Sequence, residues 1–308
     1  MGAYVRRRLL RSVPVIVGVL TLVFFMVHML PGDPAEEIAA GGLGSTPEQV
    51  QAIRVRLGLD QPLYVQYWKF VSRTVQGDLG RSIYRNQPVS TMIRDRVGAT
   101  FQLTIAAIAA AILIGVPLGI LAAIRQNSWI DSVSMTVALT GIAMPGFWLG
   151  LLLIWLFAVR LNWVPIIGGS GIKGLILPAL TLGFSAAAII ARLVRSSMLE
   201  VLRQDYMVTA RAKGLTGRAV VINHGLKNAL IPVVTIIGLQ FGNLLGGTVV
   251  IETVFARQGI GRMAVDGILT KDFPVVQGTV LFAALVYVTV NLVVDLLYSV
   301  LDPRIHYD

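Results

Sequence analysis

Gln240 and Asn243 stand inside an apolar run, where an amide is costly unless it bonds to a partner or meets water. At about 100° per residue, positions three apart lie roughly 60° from each other around a helix, so both amides share one face. Thr235, Thr248 and Gln277 are further polar groups at similar depth. Such groups serve either as hydrogen-bonding glue between helices or as the lining of a path for a polar solute, and residue type leaves both open.

A second constellation is Asp205-Tyr206-Met207-Val208-Thr209-Ala210-Arg211-Ala212-Lys213-Gly214-Leu215. Tyr206, Met207, Val208 and Ala210 beside Arg211 and Lys213 suit a short helix that contacts lipid headgroups or enters a groove on a partner protein. Ser197-Met198-Leu199-Glu200 fits a capping box that would open this helix, and Gly214 supplies a left-handed stop with apolar Leu215 beyond. A further short helix is expected to begin near Gly217 and lead to Pro232.

Other chemistries lack their residues. There is no cysteine, and His28, His224 and His306 are too dispersed for a ligand cluster. No Gly-x4-Gly-Lys-Ser/Thr loop cradles a nucleotide phosphate, so an energy source must be a separate subunit. Paired catalytic groups at depth, ion-coupling carboxylates and a selectivity sequence are not seen, which speaks against an intramembrane enzyme, a secondary transporter or a channel. Asp295 is the only carboxylate expected near a span interior, and a structural ion pair or cap at the membrane boundary suits it better than a proton relay.

The elements that must position these groups are membrane helices. Of the 308 residues 55% are hydrophobic and 14% charged, with a mean hydropathy of +0.74, far from the balance of a soluble domain. The net charge of +10 would suit nucleic acid only if the basic residues shared a water-facing surface, and they fall between apolar runs instead. Six stretches carry no Asp, Glu, Lys or Arg: 12–32, 97–124, 132–159, 174–191, 228–251 and 273–294. Each is long enough to cross a hydrocarbon core, so an all-α polytopic fold with six spans is expected. The first stretch has a basic flank but no small-residue cleavage site, which makes it an uncleaved anchor.

With the N-terminus inside, the inner segments hold thirteen Lys and Arg against five in the short outer loops, so both termini belong in the cytoplasm. The chain then divides into 1–32, an extracytoplasmic helical insertion 33–96, and a core 97–308 with a cytoplasmic loop at 192–227. In the insertion, Thr46-Pro47-Glu48-Gln49 is a capping box with Gly58 as its stop, and a second helix opens at Gln61-Pro62 and ends at Gly77. This cap is either a lid on the span ends or a docking surface. Glycines four apart (Gly115 and Gly119; Gly146 and Gly150; Gly238, Gly242 and Gly246) allow close helix approach, within this chain or at a subunit interface.

The loop just described, together with His224-Gly225-Leu226-Lys227-Asn228-Ala229-Leu230-Ile231-Pro232, resembles the cytoplasmic loop of ABC importer permeases in the dipeptide, oligopeptide and nickel branch. Pro31-Gly32-Asp33-Pro34, Leu57-Gly58-Leu59-Asp60-Gln61-Pro62, Gly77-Asp78-Leu79-Gly80-Arg81-Ser82, Leu177-Pro178-Ala179-Leu180-Thr181-Leu182-Gly183, Asn291-Leu292-Val293-Val294-Asp295 and Leu301-Asp302-Pro303-Arg304 extend the resemblance over nearly the whole chain. The long insertion resembles the B-type subunit. Val208 departs from the usual Arg, and Gln258 from the usual Pro.

The resemblance implies a type I importer fold in the cytoplasmic membrane. It implies that Asp205, Tyr206, Thr209, Ala210, Arg211, Ala212, Lys213, Gly214 and Leu215 form a coupling helix for the ATPase. It also places the fifth span beside the conduit, which favours Gln240, Asn243, Thr248 and Gln277 as path lining. The implied partners are a homologous second permease, two ATPase subunits carrying ATP and magnesium, an extracytoplasmic solute-binding protein and lipid, with no cofactor on this chain. The implied solute is a di- or oligopeptide, with a nickel chelate as the alternative.

Overall fold

The computed structural model describes residues 2–29, 35, 36, 39, 46–165 and 171–301. Pro31-Gly32-Asp33-Pro34 and Asp302-Pro303-Arg304 lie outside the described residues, as does the side chain of Asp295. The helices are α1 (Gly2–Met29), α2 (Pro47–Leu57), α3 (Leu63–Val75), α4 (Val89–Ile124), α5 (Trp129–Ala143), α6 (Gly146–Leu153), α7 (Lys173–Leu202), α8 (Asp205–Ala212), α9 (Lys227–Val254), α10 (Ile260–Leu269) and α11 (Phe273–Leu301). π-helical turns continue α6 over Ile154–Arg160 and lead into α9 over Val220–Leu226. Among the described residues the β structure is a single antiparallel bridge between Arg81 and Pro88.

Four described helices are long and apolar enough to cross a membrane: Val89–Ile124, Lys173–Leu202, Gly217–Val254 and Phe273–Val294. α5 and α6 make a fifth crossing only if counted as one span, because they meet at a bend of 110°. The apolar part of α1, Leu10–Met26, is shorter than these. The expectation of one continuous helix over 132–159 is therefore corrected. Pro145 has no N–H and pushes Met144 out of the helical region to φ −79°, ψ 127°, which breaks the helix although its composition is uniformly apolar.

Two helix boundaries in the cytoplasmic loop are also corrected. Ser197 does not open a helix; it is buried inside α7, which runs on to Leu202, because Val194, Ser197 and Met198 continue its buried stripe. Pro232 does not end one either: it lies inside α9, which runs on through it to Val254. The capping box at Thr46 forms as expected: its side chain accepts from the Gln49 N–H, Gln49 Oε1 accepts from the Thr46 N–H at 3.1 Å, and Gly58 adopts φ 71°.

The chain forms two compact units, residues 1–99 with 258–292 and residues 100–257 with the end of α11 from position 293. In the second unit α7 is the central helix, its apolar window 61% buried against 28% for α4. Its partner α4 approaches so closely that a Cβ on Gly115 would stand 2.6 Å from the carbonyl oxygen of Ala187, and one on Gly119 2.6 Å from that of Ala191. Gly183 in turn faces the backbone of Ala107. Ala107, Gly115 and Gly119 on α4 and Gly183, Ala187 and Ala191 on α7 thus form a seam of small residues at fourfold spacing. In lipid no hydrophobic effect draws helices together, so this backbone approach supplies dispersion contact.

The first unit is held differently. Phe24 of α1 packs edge-on to Tyr67 of α3 with centroids 5.4 Å apart, and Thr21 Oγ1 and Tyr67 OH bond at 2.9 Å. Val89, Met92, Ile93, Ile260, Met263 and Val275 form a separate buried cluster.

Candidate functional site

α8 is bounded by chain geometry. Gln204 is extended before it, Asp205 opens it, and Arg211 occupies its last turn, so both charges complement the helix dipole. Gly214 takes φ 78°, and its N–H donates to the Arg211 carbonyl at 3.0 Å. Met207 and Ala210, three apart, are buried against Val220, Val201 and Leu202. Asn228 Nδ2 donates to the Tyr206 hydroxyl at 2.8 Å, which ties α8 to the first turn of α9. The remaining expected residues, Asp205, Tyr206, Thr209, Arg211, Ala212, Lys213, Gly214 and Leu215, are exposed, as is Val208 at 59%. Ala210 alone of the expected set faces inward. An apolar anchor beneath a mixed outward face can receive a push on one side and pass it to two long helices on the other.

The structure brings together two of the four expected path residues. Asn243 Nδ2 donates to Gln240 Oε1 at 3.1 Å, with Gln240 buried and Asn243 exposed. Thr248 is buried, but its hydroxyl donates to the Leu245 carbonyl of its own helix at 2.7 Å, which satisfies it without a neighbour or water. Gln277 belongs to the other unit, where it lines a cleft of about 810 Å³.

The sequence matches the family described as "Binding-protein-dependent transport system inner membrane component" over residues 115–307 and its N-terminal counterpart over residues 1–104. It is also 48% identical over 304 residues to the glutathione transport system permease protein GsiC of Escherichia coli K12, covering 99% of both chains, and equally so to GsiC of Salmonella choleraesuis SC-B67. The chain belongs to this family. It is a multi-pass inner-membrane permease subunit of an ABC importer, of the oligopeptide and nickel branch. Among solved structures, the inward-facing MetNI methionine ABC transporter resembles the permease with a TM-score of 0.59 at 19% identity, over 68% of this chain and 96% of that one, which shows the fold.

Two charged sites in the permease escape sequence reasoning. Glu252, in the last turn of α9, is fully buried and accepts a 2.6 Å hydrogen bond from Thr100 Oγ1. Nearby, Arg257 Nη2 donates to Gln102 Oε1 at 3.3 Å; burial lowers its basicity and the Glu252 charge opposes that. Asp131 at the start of α5 is buried and takes two bonds from Arg195 of α7, at 2.6 and 2.7 Å. Asp295 is therefore not the only carboxylate in a span-length helix. Glu252 follows the charge-free stretch 228–251 by one residue and reads as a boundary, although the helix continues through it. Ser128-x-x-Asp131 is a visible helix start, but its partner 64 residues away is not.

Proposed function

We propose that the permease forms half of the path by which a binding-protein-dependent importer moves short peptides inward across the cytoplasmic membrane. A homologous second permease completes the path, two ATPase subunits bind and hydrolyse ATP with magnesium, and a soluble binding protein delivers the solute. If α1 and the bent α5–α6 pair each cross, the spans number six with both termini inside, the insertion 33–96 faces outward and α8 faces the ATPase.

The observation that carries this reading is the two-sidedness of α8. Its exposed face, from Asp205 to Lys213, enters a cleft on the ATPase. Its buried face, Met207 and Ala210, passes the movement to the end of α7 and, through Val220, to the π turn that leads into α9. ATP binding closes the ATPases and turns the path outward, and hydrolysis resets it. Gln240 and Asn243 meet the solute in the open path. Full-length identity to permeases named for glutathione, a tripeptide, supports the peptide class.

The test is uptake by the complete complex in proteoliposomes. ATP-dependent accumulation of short peptides, abolished without the binding protein, is the expected result. Accumulation of a nickel chelate with no peptide uptake, or peptide uptake driven by an ion gradient without ATP, would overturn it.

A further inference from the structure

The first unit contains a cleft of about 810 Å³ whose lining is chemically uneven. One wall is α3, where Gln66, Lys69, Phe70, Arg73 and Thr74 all line it. Their spacing of three, four, seven and eight residues puts them on a single helical face. Arg81 contributes from the loop after α3, and Phe24, Phe273 and Leu281 add apolar surface. Lys69, Arg73 and Arg81 are exposed, and among the described residues none of them has an acidic partner. Arg81 spends one N–H on the Asn86 carbonyl at 2.8 Å, which leaves the rest of its guanidinium available. The one carboxylate in the lining, Asp78, is engaged by the Gly80 N–H at 2.9 Å.

The cleft is also built to hold its shape. Asp272, buried, accepts from Ser82 Oγ at 2.5 Å and from the Ile83 N–H at 3.1 Å, which fastens the Arg81 loop to the start of α11. Gly278 lies so close to Val89 that a Cβ there would stand 2.5 Å from Val89 Cγ1. Fixed walls, apolar patches and a few cationic donors in a volume within the roughly 300–1,000 Å³ of small-ligand sites describe a pocket rather than a flat docking surface.

We propose that this cleft is a receiving site for a short peptide, which it holds through carboxylate groups on Lys69, Arg73 and Arg81 while side chains rest on Phe24 and Phe70. The proposal rests on the importer reading above, which puts the cleft on the side where solute arrives. Arginine binds a carboxylate through two parallel donors, and Lys69, four residues before Arg73, adds a second cation for a doubly anionic peptide.

The experiment uses the assembled complex in lipid nanodiscs without its binding protein, and equilibrium dialysis of labelled glutathione, a neutral dipeptide and the carboxamide of each. Saturable binding of the free acids, weakened by salt and absent for the amides, is expected. It should fall at least about tenfold in Lys69→Gln/Arg73→Gln, as loss of charge-assisted bonds implies. Arg73→Lys should retain part of it, and Lys173→Gln, outside the lining, all of it. No binding of any free acid, or binding that ignores the cleft substitutions, overturns the site. Uptake by the wild-type complex separates the two readings: normal ATP-driven uptake with no cleft binding sinks the site alone, and no uptake of any peptide sinks the importer reading.

Discussion

The seam between α4 and α7 and the cleft beside α3 solve opposite problems with opposite residues. The seam excludes everything: the helix backbones approach so closely that even a methyl has no room at Gly115, Gly119 or Gly183. The cleft does the reverse, with α3 burying no residue completely and three cations facing open volume. Helices in lipid gain little from hiding apolar surface and must gain from contact, whereas the first unit is fastened in part by hydrogen bonds such as Ser82–Asp272 and keeps space for a ligand. Rigid packing and chemical opportunity are therefore kept in different units of the permease.

The largest expected effect tests the seam. Gly119→Leu would put Cβ 2.6 Å from the Ala191 carbonyl oxygen and 2.7 Å from Val194 Cβ, with backbone on one side that cannot rotate away. The cost should exceed the roughly 1–3 kcal/mol of ordinary overpacking, and thermal unfolding in detergent should show a chain that no longer folds stably. Gly246→Ala, with nothing within 4 Å, should be neutral or slightly stabilising. Equal tolerance at both positions would mean that the seam is not what holds α4 to α7.

The next tests the fastening of the cleft. Asp272→Ala leaves the Ser82 hydroxyl and the Ile83 N–H without their acceptor, at a cost of about 1–3 kcal/mol each where burial is complete. Amide hydrogen exchange should accelerate over residues 82–89 and stay unchanged over 107–119. A uniform change across both would show that the two units do not open independently.

Gly214 gives a smaller and more local effect. Its φ of 78° is costly for a side chain by about 1–2 kcal/mol, yet a Cβ there would touch nothing within 4 Å, so backbone strain acts alone. Gly214→Val should leave expression intact while peptide uptake falls and ATP hydrolysis persists. Gly214→Asn should restore most of the coupling, because asparagine tolerates the left-handed region. Normal uptake in the valine variant would remove α8 from the coupling pathway.

What the sequence made legible follows from the range of each interaction. Short-range signals held: Thr46 with Gln49, Gly58 and Gly214 each lie within a few residues of the groups they serve. Gly115 and Gly119 marked half of the seam, but the matching Ala187 and Ala191 were lost in an alanine-rich run that offers many equivalent registers. Ser197 mimicked a helix start because a capping box and a buried helical serine differ only in what surrounds them. Arg195 with Asp131, Thr100 with Glu252 and Ser82 with Asp272 join positions 64 to 190 residues apart, and no local pattern encodes such pairs. The cleft was half visible: the helix was expected, while the face turned to open volume depends on where α1 and α11 lie.

The smallest expected effect concerns Gln240 and Asn243, and it asks whether the second unit keeps any opening of its own. Their hydrogen bond is worth about 0.5–1.5 kcal/mol net, so replacing both by Leu should leave assembly with the second permease intact. Asn243 is exposed and Gln240 is buried, so the two are not equivalent probes. The chain has no cysteine, and single cysteines at 240 and 243 can be labelled with a membrane-impermeant thiol reagent in the assembled complex. Position 243 should react in a nucleotide-dependent way if water enters the path when it opens, and position 240 should react more slowly, because its side chain must first leave cover. Paired Leu substitutions should then lower uptake while the complex still forms. If neither cysteine reacts in any nucleotide state and the Leu variant fails to assemble, the pair is glue between helices, and the contrast between a closed unit and an open one becomes complete.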